Sequence, residues 1–152
     1  MFEWLFGGRK DKAELRDVIA SQGRVAALLA RDAEDISDGE WGEREWVQLA
    51  VNHELDPNED LRSSTQAIVL AHQPNGPLEA LGFRLSAETK AALVQLRSEM
   101  NAAAQEKWTI ANIVVDREGT YSFSFLFDQP PRINGDLLHR PLQDYLERYN
   151  AR

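Results

Sequence analysis

The stretch Trp108-Thr-Ile-Ala-Asn-Ile-Val-Val115, followed by Asp116-Arg-Glu-Gly-Thr120 and Tyr121-Ser-Phe-Ser-Phe-Leu-Phe127, decides the fold. Two apolar runs rich in β-branched and aromatic residues flank a short loop containing Gly119, the arrangement that closes a β-hairpin. Tyr121, Phe123, Phe125 and Phe127 fall on one face of the second strand, opposite Ser122 and Ser124. That aromatic row is expected to be core, covered by a helix.

Such a helix stands immediately upstream. Ser86 suits an N-cap, Glu88 sits in the first turn, and Leu93, Leu96, Met100 and Ala103 share one side. Before it, residues 78–85 read as a short strand, Gln73 to Pro77 as a turn, and residues 62–72 as a longer strand. Asp56-Pro57-Asn58 is a further turn. From Trp46 the period is two: Val47, Leu49 and Val51 alternate with Gln48, Ala50 and Asn52, as a half-buried strand requires. The segment Asp38-Gly39-Glu40-Trp41-Gly42 breaks an amphipathic helix over 11–33, marked by Leu15, Val18, Ile19, Val25, Leu28 and Leu29 and weakened by Gly23.

Downstream of the hairpin, Pro130 and Pro131 cannot continue a ladder, and Pro141 suits the first turn of a last helix with Leu142, Tyr145, Leu146 and Tyr149 inward. The order implies an α+β domain over 11–152. It would hold one mainly antiparallel sheet of about 4–5 strands, an N-terminal helix, a central helix and a short C-terminal helix. Residues 1–10 form an apolar arm, with Phe2, Trp4, Leu5 and Phe6 ahead of Gly7 and Gly8. The arm is too short and its charges are in the wrong order for a secretory signal, and no stretch has the length of a membrane span, so a cytoplasmic protein is expected.

Charge is the second informative feature. Residues 31–62 hold eleven acids against Arg31, Arg44 and Arg62, which accounts for the whole net charge of −8. An acidic block in an otherwise balanced chain steers basic partners and repels phosphates, although it also serves as a plain solvated face. These acids are expected to gather on one side of the domain. Trp41 and Trp46 lie among them and read either as amphipathic contact residues or as partly buried core. Trp4, Trp41 and Trp46 all have acidic neighbours where a nucleic-acid groove would place arginine and lysine.

Motifs for chemistry are missing. The chain has no cysteine. Asp56-Pro57-Asn58-Glu59-Asp60 opens like a calcium loop, but Leu61 stands where glycine is needed and Ala67 where a bidentate acid is needed. His53 and His72 lie on strands that are candidates for neighbours, which makes a metal pair conceivable without a third ligand; His139 stands apart. No serine sits in a nucleophile elbow, and Gly7-Gly8-Arg9-Lys10 lacks the spacing of a phosphate loop. The expectation is a protein that is not an enzyme, with no cofactor and no metal.

The helix Leu85 to Ala104, Trp108-Thr109, the strand ending Val115-Asp116, Gly119, and the aromatic strand Tyr121 to Asp128 together resemble the YezG-type antitoxin family of immunity proteins. The resemblance covers residues 11–128, and the Phe2 to Phe6 arm and the Asp128 to Asp136 tail depart from the pattern. It implies a protein that protects bacteria by binding and occluding a cognate secreted toxin domain, often a nuclease, with no catalytic residue of its own. The expected contact patch is Asp38, Glu40, Trp41, Glu43, Glu45 and Trp46, with the tryptophans as anchors and the acids steering. A non-catalytic adaptor or chaperone, using the arm or an open sheet edge, is the alternative. An enzyme or small-ligand binder beneath the aromatic row is a third reading.

Overall fold

The computed structural model describes residues 10–105 and 107–152; the Phe2 to Phe6 arm lies outside them. The chain runs α1 (Lys10–Asp32), β1 (Glu45–Leu55), β2 (Ser63–His72), β3 (Leu78–Gly82), α2 (Ala87–Ala104), β4 (Ile110–Asp116), β5 (Tyr121–Leu126) and α3 (Tyr145–Asn150). The strands form one antiparallel sheet in the order β3-β2-β1-β4-β5. The fold is therefore α+β, with helices at the start, middle and end.

Helices α1 and α2 lie side by side on one face of the sheet. Val18, Val25 and Leu29 of α1 and Leu93, Leu96 and Met100 of α2 meet Leu49, Val51, Val69, Ile113 and Phe123 in a single core. Ser86 caps α2 as its residue type predicts, its Oγ accepting from Thr89 N at 3.2 Å. The buried Asp32 carboxylate accepts from Ser86 N at 2.9 Å and from the Ser86 and Thr89 hydroxyls, so the end of α1 is tied to the start of α2.

The alternation read from Trp46 onward does not give a half-buried strand. Strand β1 is central and is buried on both faces, because the segment after Asp128 crosses the far face of the sheet. Ala50, Leu70 and Tyr145 form a second small cluster there, with Leu142, Leu146 and Tyr149 packed on it. The inward residues of the last helix are those expected, yet regular helix begins only at Tyr145, beyond Pro141. A bulge between Trp46 and Gln48 takes Val47 out of register, which lets Trp46 and Leu49 share the helix-covered face.

The aromatic row is only partly core. Phe123 is buried and Phe125 packs at its margin, while Tyr121 and Phe127 are 39% and 49% exposed. Tyr121, Phe123 and Phe125 belong to β5, an edge strand that ends before Phe127, and the helical layer buries Phe123.

Candidate functional site

The acids of 31–62 do not gather on one side. Strand β1 separates them, and its 11 residues extend about 35 Å at the usual rise per residue. Several are consumed by the fold itself. Asp35 meets Arg84 at 2.7 Å, and that hydrogen-bonded guanidinium holds its carboxyl below the usual range. Asp60 meets the buried Arg97 at 2.7 Å. Asp56 accepts from the backbone of Asn58 and Glu59 and from Arg62, which lowers its pKa, the Asn58 N–H contributing most. The would-be calcium loop is thus a carboxylate-capped turn.

Glu34 and Glu59 are exposed and form no ion pair among the described residues, and the same holds of Asp38, Glu40, Glu43 and Glu45, which differ in standing close together along the chain. These four occupy the connection into β1, at the end of the sheet where Glu45 opposes His72. The connection is held in shape. Arg44 donates to the carbonyls of Glu40 and Trp41 at 2.6 and 3.1 Å and to Glu79 of β3 at 3.1 Å. Gly39 and Gly42 take left-handed φ values of 80° and 63°, which a side chain would strain.

The two tryptophans part company. Trp41 is half-buried against the main core and keeps some ring surface beside Glu40 and Glu43. Trp46 is 8% exposed, and the Arg117 guanidinium lies over its ring at 5.5 Å, so it is a core residue with a cationic cover. Asp38, Glu40, Glu43 and Glu45 are thus exposed and Trp41 half-buried along one short connection, while Trp46, at the start of β1, is buried.

The histidine pair does not form. His53 pairs with Thr65 and His72 with Glu45, at opposite ends of the β1–β2 ladder. Among the described residues no group of three or more histidine, aspartate or glutamate side chains is placed to hold a metal ion.

Sequence reasoning missed a polar network on the far face. Glu54 is fully buried and accepts from Arg132 N at 3.2 Å and Ile133 N at 2.9 Å, with the Arg132 Nη1 at 3.4 Å. Arg132 also donates to Asn52 Oδ1 and Ser64 Oγ, both at 2.8 Å, and to the carbonyls of Asn52 and Ser64, both at 3.1 Å. Leu142 N donates to Gln66 and the Tyr145 hydroxyl to Gln48. The available signal was the polar half of β1: Gln48, Asn52 and Glu54 on a central strand need covering partners. No helix of the described residues is long and apolar enough to cross a membrane. A scan against protein-family models and a search of curated proteins both find no match to this chain.

Proposed function

We propose that the chain is an immunity protein that binds and neutralises a cognate toxin domain through the acidic connection into β1. The observation that carries the reading is the sorting of charge. Asp35, Glu54, Asp56 and Asp60 are bonded to arginines or backbone amides and Glu34 and Glu59 stand singly, while Asp38, Glu40, Glu43 and Glu45 are four acids without an ion pair among the described residues on one short connection stiffened by Arg44. Unpaired like charges held together cost stability, so a surface that retains them is fitted to a basic partner. Half-buried Trp41 supplies an apolar anchor at the centre of the patch, and burying its remaining ring surface excludes water from the acids around it. A toxin acting on nucleic acid presents a basic cleft, which carboxylates occupy in place of phosphate. In this reading the protein works in the cytoplasm by occlusion and needs no cofactor.

The test is co-expression with the toxin domain encoded beside the gene, and binding to that domain at two salt concentrations. Reversing Glu40, Glu43 and Glu45 to lysine is expected to abolish protection and to slow association by about 10- to 1,000-fold, most at low salt. Protection and affinity that survive the triple reversal exclude this surface.

A further inference from the structure

At the other end of β1 a groove opens between the sheet and α2, independent of the acidic connection. Its cause is topological. Strand β3 stops at Gly82 opposite Ile68, and the Phe83 amide donates to Ala67 O, so the first half of β2 has no β3 neighbour. Over this gap lies the α2 stripe Ala87, Lys90, Ala91 and Val94, at helical spacing. A cavity of about 220 Å³ results, walled by these residues with Leu55 and Leu61. A second of about 390 Å³ adjoins it, sharing Ser63 and Lys90.

A histidine lines the groove with one ring nitrogen unmatched among the described residues. His53 is 1% exposed and lines the cavity; its Nδ1 lies 2.8 Å from Thr65 Oγ1, while Nε2 has no hydrogen-bond partner among the described residues. A buried polar group left unpaired is costly and is uncommon in a settled core. Burial, with the nearby positive charges of Lys90, Arg132 and Arg97, holds the imidazole neutral by pushing its pKa down to about 3. When Thr65 donates to Nδ1, Nε2 carries the hydrogen and offers it to the groove. Lys90 is exposed at the rim and forms no ion pair among the described residues. The one acid lining this cavity, Asp60, is neutralised by Arg97.

We propose that this groove binds a small anion-headed amphiphile, a carboxylate or phosphate monoester on a short aliphatic or single-ring body. The head accepts from His53 Nε2 and pairs with Lys90, and the body lies among Leu55, Leu61, Ala91 and Val94. The cavity suits a body of that size, and its apolar walls leave the head as the sole polar anchor.

NMR titration of the full chain with benzoate, phenyl phosphate and the neutral benzyl alcohol tests this, reading the His53 ring and the methyls of Leu55, Leu61 and Val94. Saturable shifts confined to those groups are expected with benzoate or phenyl phosphate, and the stronger of the two identifies the head. Lys90→Gln should weaken binding by about five- to tenfold and Ala91→Leu should abolish it, both exposed helix positions that leave thermal unfolding near the parent. The proposal is overturned if neither anion saturates by about 20 mM. It is equally overturned if benzyl alcohol binds as well as the anions, or if Lys90→Gln changes nothing.

Discussion

Replacing Arg132 by methionine should show how strongly the C-terminal segment is clamped to the sheet. The substitution keeps much of the side chain's apolar volume and removes a guanidinium that is 9% exposed and bonded to Asn52, Ser64 and Glu54. It leaves the Glu54 carboxylate buried with only the two backbone amides of Arg132 and Ile133. Removing one member of a buried pair costs about 3–5 kcal/mol, and the surviving amide bonds place this case near the lower end, about 3 kcal/mol. Against a usual total of about 5–15 kcal/mol that is a large share. With a urea slope of about 2 kcal/mol per M, the unfolding midpoint should fall by about 1.5 M. Adding Glu54→Gln to Arg132→Met removes the stranded charge and should recover part of the loss. A midpoint shift under about 0.3 M for the single variant, or equal losses for the single and double variants, refutes the assignment of Arg132 and Glu54 as a buried charge clamp.

Two further outcomes follow from individual contacts. Gly23→Ala should raise stability by about 0.5–1 kcal/mol, read as a higher melting temperature, because a Cβ there meets only the Tyr121 hydroxyl at 3.4 Å while the helix interior gains; a lower melting temperature would mean that the α1–β5 contact has no slack. His53 has a folded pKa near 3 against an ordinary 6.5, so the unfolded chain takes up the proton first on acidification. Stability from this group is present above pH 6.5 and is lost as pH falls toward 3, at about 1.4 kcal/mol per unit. Between pH 6 and 4.5, above most carboxylate titrations, urea midpoints of the parent should decline while those of His53→Asn stay flatter; parallel curves would contradict the buried neutral imidazole.

Much of the architecture was legible because its signals are local. The Ser86 cap, the Leu93, Leu96 and Met100 side of α2 and the Gly119 loop each specify their element within a few residues, and the structure has all three. What sequence could not give depends on distant partners. Asp35, Asp60 and Glu54 find their arginines 49, 37 and 78 positions away, so a count of charge along the chain could not tell bonded acids from free ones. The polar alternation of β1 suggested solvent on one side, whereas it was matched to Arg132 and Tyr145 of the final segment. Trp41 and Trp46 stand five positions apart with similar neighbours, and a one-residue bulge sends the second into the core. The His53 groove arises from where β3 stops relative to β2, a matter of strand length that no motif records.

The strand order also fixes a sequence of events during synthesis. Strand β1 can pair with β2 and β2 with β3 as soon as they leave the ribosome, since short turns join them. The other side of β1, from Gln48 to Glu54, must wait for Ile110–Asp116. For the time needed to make some sixty further residues, at about 5–20 per second, the future centre of the sheet is an unpaired margin. Gln48, Asn52 and Glu54 line the face that will be sealed last, and their polarity discourages that margin from recruiting another nascent chain in the interval.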